Sequence, residues 1–97
     1  MEVRMTQRVR IECVSAGRQD PPPWIESLGG ERDDGSRWQM SEDQALGAIA
    51  RGEYSFYVGD GGRAIDVVAA THEGRRYLKT NADELRPDKL LALPGCP

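Results

Sequence analysis

The residues of this chain that could carry chemistry are few, and their spacing fits no common catalytic or metal-binding arrangement. His72 is the only histidine, and it lies in the predicted turn THEG beside Glu73. A general base needs a partner and a pocket, and the tip of a hairpin seldom offers either. The two cysteines, Cys13 and Cys96, lie near opposite ends of the chain and show no metal-ligand spacing. We therefore expect no catalytic set, no metal and no cofactor, which favours a protein that is not an enzyme.

Both cysteines are expected to be free thiols. Cys13 falls on the same strand face as Val9 and Ile11, where burial among apolar groups makes a thiol inert. Cys96 has no neighbour in the sequence that would activate it. No apolar run approaches the roughly 18 residues that a membrane span needs, and the N-terminal residues lack the apolar region of a secretory signal. These features predict a cytoplasmic protein with no membrane partner, and disulfides are rare in that compartment.

The charge of the chain disfavours nucleic acid as a partner. Lysine and arginine number 13 against 16 aspartate and glutamate residues, so the net charge is −3 and the sequence pI is about 5.1. Binding to a phosphate backbone draws instead on a basic surface that releases counterions. A local basic face remains an alternative, because four cations come from adjacent predicted strands: Arg63, Arg75, Arg76 and Lys79.

A small α+β domain must position these side chains. The chain has 97 residues, 38% of them hydrophobic, which is enough for one core. We expect a single domain over residues 8–97, preceded by a flexible N-terminus over residues 1–7. Residues 8–14, RVRIECV, alternate apolar and polar side chains and predict a strand. The segment WIESLGG has apolar residues at helical spacing and a glycine in the C-terminal cap position, which predicts one or two helical turns.

The best-marked element is a helix from about residue 42 to residue 51. Ser41 and Gln44 have the S-x-x-Q spacing of a capping box. An apolar stripe follows, and Gly52 is placed to supply the left-handed residue after the last turn. A helix this short must pack on a sheet to be stable.

Three strand-like runs between residues 53 and 80 predict the sheet on which this helix packs. The short turns GDGG and THEG separate the runs, and short turns between neighbouring strands require antiparallel pairing. We therefore predict an α+β fold with a largely antiparallel sheet of four strands, or five if residues 36–40 join it, and one main helix on one face. The strand at residues 8–14 is expected at an edge, and Pro87 is expected to open one further helical turn.

The aromatic side chains are the strongest candidates for contact with a ligand. Alternation along the strands places Tyr57 and Tyr77 on the face opposite to Phe56, together with Lys79. If the helix covers the Phe56 face, the other face is open to a peptide, a protein or single-stranded nucleic acid. Two alternatives stay open: the tyrosines pair across strands with no ligand, or the loop of residues 15–30 covers them.

Short blocks follow one another through residues 9–97, namely IEC, IESLGG, DGSRW, ALGAI with Gly52, FYV, RRYLKT, NAD and LLALPGCP. Together they resemble a family of short, mostly bacterial proteins that is catalogued as a domain of unknown function. The resemblance implies a shared single-domain fold and no established activity, substrate or cofactor, so it carries over no catalytic residue. The segment PPPW departs from the more polar stretch expected before IESLGG.

The leading functional hypothesis is a binding or regulatory module without enzymatic activity whose partner is a protein. The partner would be engaged through Tyr57, Tyr77 and Lys79, or through the loop region from Trp24 to Trp38. The hypothesis depends on the missing catalytic sets and on aromatic residues at exposed positions, which are enriched where proteins bind one another.

Two further hypotheses belong to other functional classes. One is nucleic-acid binding through the four cations of the predicted strands, which the acidic charge disfavours. The other is a small-molecule or enzymatic pocket, which requires a concave and polar-lined surface. Its expected lining is Arg37, Trp38, Asp34 and Asp83. The sequence leaves the oligomeric state open.

Overall fold

The strands of this chain form two sheets that share one core. The computed structural model describes residues 6–16, 25–32, 34–83 and 87–96. In chain order the elements are β1 Gln7–Arg10, β2 Cys13–Ala16, β3 Ile25–Glu31, β4 Arg37–Ser41, α1 Glu42–Ala50, β5 Tyr54–Asp60, β6 Arg63–His72, β7 Arg75–Thr80 and α2 Asp88–Leu91. One sheet has the order β1-β5-β6-β7 and the other the order β2-β3-β4. The predicted α+β class, with largely antiparallel strands and one main helix, is confirmed.

The antiparallel meander predicted between residues 53 and 80 is also confirmed. β5 pairs with β6 and β6 pairs with β7, both antiparallel. Each turn has two residues with positive φ: Gly61 at 58° and Gly62 at 85°, then Glu73 at 51° and Gly74 at 79°. Two consecutive left-handed residues define a type I′ turn, whose twist matches that of the strands it joins.

The single strand predicted at residues 8–14 is two strands in different sheets. β1 pairs parallel with β5, whereas β2 pairs antiparallel with β3. Between them, Ile11 donates its amide to the Tyr57 carbonyl at 2.8 Å, and Glu12 donates to the Gly29 carbonyl at 2.9 Å. Consecutive amides therefore bond to different sheets. The apolar alternation runs through this crossing without a break, which is why the sequence pattern indicates one strand.

The helical turns predicted for WIESLGG are wrong, because this segment supplies β3, the central strand of the three-stranded sheet. Its glycines allow close approach of other backbones instead of capping a helix. A Cβ on Gly29 would lie 2.7 Å from the Trp38 carbonyl oxygen, and one on Gly30 would lie 2.7 Å from the Arg10 carbonyl oxygen. Glycine is required where backbones pack this closely. The predicted extended segment at residues 36–40 is present as β4, but it pairs with β3 and not with the meander.

Helix α1 has the predicted capping box. Ser41 Oγ accepts a hydrogen bond from the Gln44 amide at 3.1 Å, and Gln44 Oε1 accepts one from the Ser41 amide at 2.9 Å. Gly52, after the helix, has a φ of 72°. The buried face carries Ala45 and Leu46 and contacts strands of both sheets, β3 and β4 in one and β5 and β7 in the other. The helix thus joins the two sheets.

The core combines the inner faces of both sheets with residues of the two helices. Its buried members are Ile11, Val14, Ile25, Leu28, Trp38, Ala45, Leu46, Phe56, Val58, Val67, Leu78 and Leu90. Leu90 comes from α2, the single helical turn predicted after Pro87. Within the described ranges, neither helix has the length and apolar character that crossing a membrane requires.

Cys13 and Cys96, predicted to be free thiols, form a disulfide with their Cα atoms 4.9 Å apart. After α2 the chain returns alongside β2, where Val14 donates its amide to the Pro94 carbonyl at 3.0 Å and forms a parallel bridge with Gly95. This return of the tail brings the two sulfurs together. The prediction was wrong because nothing in the local sequence around either cysteine indicates that contact.

Candidate functional site

A cleft of about 410 Å³ lies along β1, and we call it the β1 cleft. One wall is β1 itself, and the other is the end of β3 with the turn into β4. The lining residues are Gln7, Arg8, Val9, Arg10, Glu31, Arg32, Asp34, Trp38, Met40, Tyr54 and Tyr57. Two of the residues predicted for a binding site, Trp38 and Tyr57, therefore meet in one cleft.

β1 is an edge strand, so part of its backbone has no partner strand in the described structure. Gln7 and Ile11 donate their amides toward β5, to the carbonyls of Glu53 at 3.0 Å and Tyr57 at 2.8 Å. Backbone groups of successive strand residues point to opposite sides. The amide and carbonyl of Arg8 therefore turn away from β5, to the free edge of the sheet. An edge of this kind accepts an added strand unless charge or cover prevents it.

Arg8 holds the ring of Tyr57 at the entrance of the cleft. Its guanidinium carbon lies 4.5 Å from the centre of the Tyr57 ring, and its Nη2 lies 3.0 Å from Asp66 Oδ1. Both charged side chains are about half exposed, at 49% and 55%, so solvent screens the ion pair and its contribution to stability is small. The contacts fix the orientation of a half-buried tyrosine. An aromatic ring held in this way loses little entropy on binding a partner.

Arg10 supplies a second guanidinium on the same face of β1. It lies close to Gly59, since a Cβ on that glycine would be 2.7 Å from an Arg10 Nη atom. Arg10 is exposed and lies opposite Tyr57 in the strand register. Among the residues that the structure describes, the Arg10 side chain has no hydrogen-bond or ion-pair partner. Arg10 thus adds an exposed positive charge to the lining of the β1 cleft.

The opposite wall is held by hydrogen bonds within the turn from β3 to β4. Arg32 Nη1 donates to Ser36 Oγ at 3.4 Å and to the Arg37 carbonyl at 3.1 Å. Asp34 Oδ1 accepts from the Ser36 hydroxyl at 2.6 Å and from the Ser36 amide at 2.9 Å. These two bonds, the hydroxyl first, lower the pKa of Asp34 below its ordinary value. Asp34 is thus ionised at neutral pH and serves the turn, not proton transfer.

Trp38 is mainly a core residue, with 8% of its surface exposed. Its ring lies 5.9 Å from the Phe56 ring, and Tyr54 lies 6.0 Å from Phe56 on centroid distances. These spacings fall in the range of favourable aromatic pairs. The back of the β1 cleft is therefore a rigid aromatic cluster, and the exposed edge of Trp38 belongs to it.

The predicted open face of Tyr57, Tyr77 and Lys79 is corrected by the structure. Tyr77 does lie on the face opposite to Leu78, but it is 2% exposed while Leu78 is 0% exposed, so β7 is covered on both faces here. Lys79 is half buried, and its Nζ donates to the Asp83 carbonyl at 3.0 Å. Strand alternation assigns a side chain to a face and does not show whether that face is covered. Trp24, the remaining aromatic candidate, lies outside the described residues.

The residues predicted for a small-molecule pocket do not meet in one place. Asp34 and Trp38 line the β1 cleft, whereas Arg37 and Trp38 line a second cleft of about 260 Å³ beside the disulfide. Asp83 is engaged at the end of β7, where its Oδ2 accepts from the amide and the hydroxyl of Thr80, both at 3.0 Å. The structure therefore separates this set over three locations.

The four cations predicted for nucleic-acid binding are spread along the meander, with Lys79 opposite Val68 near the middle of β6. Arg63 opens β6, whereas Arg75 pairs with His72 at the far end of the same strand. β6 has 10 residues, which at about 3.3 Å per residue span roughly 30 Å. Arg75 also lies 3.1 Å from the buried carboxylate of Glu42. The cations thus form no single basic patch.

Arg8 and Arg10 are the site residues that sequence reasoning missed. The alternation of RVRIECV places them on the polar face of a strand, where arginine is an ordinary solvated residue. The edge position of this strand was predicted, but the cleft beside it becomes visible only once β1 pairs with β5 and the turn from β3 to β4 lies opposite. In the described part of the chain, no group of three or more His, Cys, Asp or Glu side chains could hold a metal ion.

Comparison with known proteins gives a family and no activity. A family model described as a protein of unknown function, DUF3892, matches residues 5–94, a stretch that includes every strand and helix described above. No curated protein and no solved structure shows significant similarity to the chain. The match confirms the resemblance seen in the sequence blocks, and the chain belongs to this family of proteins of unknown function.

Proposed function

We propose that this protein is a binding module without enzymatic activity that engages a protein partner at the β1 cleft. The observation that carries the proposal is the meeting, in one cleft, of a free strand edge, an aromatic ring held by Arg8, and the exposed cation Arg10. Strand edges bind extended peptides through backbone hydrogen bonds, and neighbouring side chains give specificity. The partner segment that fits is extended and carries a carboxylate.

The charge of β1 favours a different protein over a second copy of the chain. If two copies of β1 paired edge to edge, Arg8 and Arg10 of one copy would lie near the same residues of the other. Like charges that face each other across strands are destabilising, and charged residues on edge strands are a known protection against self-pairing. An acidic segment removes this repulsion and forms an ion pair with Arg10.

Selection from a random peptide library tests the proposal directly. We expect the wild-type protein to enrich peptides with acidic residues, and we expect Arg10→Glu to lose them by repulsion. Arg76→Glu is the matched control, because it makes the same charge change at an exposed residue of β7, the edge strand at the opposite end of the sheet from β1. Enriched peptides should shift the amide resonances of β1 and Tyr57. The proposal is contradicted if the library yields no enriched peptides, or if the enriched peptides bind the Arg10→Glu variant as well as the wild type.

We further propose a cytoplasmic location, on the composition of the chain alone. The disulfide weighs against it, since reducing compartments keep cysteines as thiols. Alkylation of thiols in intact cells, followed by the intact mass of the purified protein, separates the two cases. Two alkylated cysteines agree with a reducing compartment, and an unmodified disulfide contradicts it.

A further inference from the structure

The disulfide lies at the second cleft, the one of about 260 Å³. Its lining comprises both cysteines together with Arg37, Trp38 and Gln39. Cys13 is 4% exposed, whereas Cys96 is half buried. Cys96 is therefore the more exposed residue of the disulfide.

The three-stranded sheet determines where the sulfurs lie. The strand register places Cys13, Gly29 and Gln39 in one row across β2, β3 and β4. A Cβ on Gly29 would lie 3.2 Å from the Cys13 sulfur and 3.5 Å from the Cys96 sulfur. The disulfide thus lies over a glycine, and no side chain of the central strand covers it.

Arg37 places a positive charge beside the same disulfide. It lies two residues before Gln39 and therefore on the same face of β4. Its side chain is exposed and, within the described residues, has no hydrogen-bond or ion-pair partner. Glu31 is its neighbour in the strand register, but the two side chains form no ion pair. An anion that enters the second cleft meets the positive charge of Arg37 in the same lining as Cys96.

We propose that Cys96 is a site of thiol–disulfide exchange for an anionic thiol that Arg37 attracts to the second cleft. The incoming thiolate attacks Cys96 Sγ, and a new disulfide forms between these two sulfurs. The bond between Cys13 and Cys96 breaks, and Cys13 Sγ leaves with the electron pair and takes a proton from water. The incoming thiol is oxidised as the protein disulfide is reduced, so no other oxidant is needed. Attack by Cys13 on the mixed disulfide reverses the reaction.

Exchange at Cys96 also releases the covalent hold on the chain that follows α2. That segment is then held beside β2 by the hydrogen bond from Val14 to Pro94 and by the bridge between Val14 and Gly95. Exchange at Cys96 therefore affects how firmly the tail is held along the edge of β2. The two clefts share only Trp38 among their lining residues, and the inference does not depend on the proposed function.

The test compares glutathione, which is anionic, with 2-mercaptoethanol, which is neutral, on the oxidised full chain. Mixed disulfides are followed by intact mass and located by peptide mapping. We expect the adduct on Cys96. Because both reagents attack as thiolates, we expect Arg37→Gln to slow both reactions, and to slow the reaction with glutathione roughly threefold more, as its one extra negative charge at about 6 Å in water predicts. Arg37→Lys should restore the preference, and Arg63→Gln should behave as the wild type.

Three results would overturn the inference. One is an adduct on Cys13 instead of Cys96. Another is the absence of any adduct at a glutathione concentration that readily opens an unhindered small-molecule disulfide. The third is an Arg37→Gln variant that reacts with both thiols at wild-type rates or is slowed equally for both. Circular dichroism of each variant before the reaction ensures that the rates compare folded proteins.

Discussion

The carboxylate of Glu42 accepts a hydrogen bond from the backbone amide of Leu78 at 3.2 Å. Leu78 lies in β7, the edge strand at the other end of the sheet from β1, so the first residue of α1 supplies the partner that a further strand would otherwise give. Glu42 is 5% exposed and also pairs with Arg75. Burial raises the pKa of Glu42 above its ordinary value, against the opposing effects of the Leu78 amide and of Arg75.

Glu42 should make the stability of the protein depend on pH. Because its pKa is raised on folding, the folded state holds the proton more tightly than the unfolded state, whose value is near 4.5. Its contribution to stability is therefore complete below that pH and is lost as the pH rises through the folded pKa. Glu42→Gln removes this titration. We expect the free energy of unfolding of the variant, from urea denaturation, to increase relative to wild type between pH 4 and pH 7.

Glu26→Gln is the control for this experiment, because Glu26 is an exposed residue of β3. The difference in unfolding free energy between this variant and the wild type should stay nearly constant over the same range. If the Glu42→Gln difference is equally constant, the raised pKa is contradicted.

Removal of the disulfide should destabilise the folded chain without changing its architecture. The link closes a loop with a sequence separation of 83 residues, so it restricts the unfolded chain strongly. For Cys13→Ala with Cys96→Ala we expect a loss of about 2–4 kcal/mol in the free energy of unfolding. Chemical denaturation of the oxidised wild type and of the double variant gives this value. A loss well below 1 kcal/mol would show that the tail is held by its other contacts.

Two glycine substitutions should have opposite effects on stability. In Gly30→Ala the new Cβ meets the Arg10 backbone at 2.7 Å, which cannot be relieved by a rotamer change, and we expect a loss of about 1–3 kcal/mol. In Gly47→Ala, within α1, the nearest atom is the flexible end of Arg51 at 3.0 Å, and we expect a gain of about 0.5–1 kcal/mol from helix propensity. Thermal denaturation measures both. A gain in stability from Gly30→Ala would contradict the packing described for β3, and a loss from Gly47→Ala would contradict the effect expected from helix propensity.

Truncation of Leu90 tests whether α2 belongs to the core. Leu90 is 1% exposed, so Leu90→Ala should cost about 2–5 kcal/mol of unfolding free energy. Leu91, half buried in the same turn, is the matched control, and Leu91→Ala should cost clearly less. Equal costs from urea denaturation would show that the turn does not bury Leu90 as described.

Local signals in the sequence predicted local structure well. The capping box of Ser41 and Gln44 located the start of α1, and the paired glycines of GDGG indicated the first hairpin turn. Local signals failed at WIESLGG, where helical spacing and the glycines suggested a helix but the segment supplies β3. The other errors concern contacts between distant segments. Nothing near Cys13 indicates that the tail returns to it, and alternation around Tyr77 does not show that its face is covered. The β1 cleft depends on the pairing of β1 with β5, which no local pattern encodes.

We also expect the parallel pairing of β1 with β5 to form later in folding than the meander. The Thr6 hydroxyl reaches the Gly52 carbonyl across a separation of 46 residues, whereas each meander hairpin closes over a two-residue turn. Contacts between distant segments form late in folding because loop closure must come first. We therefore expect β1 to be the last strand to join its sheet and the first to leave it in a native fluctuation. Amide hydrogens of β1 should exchange faster than those of β6, so the edge that we propose for partner binding opens without unfolding of the meander.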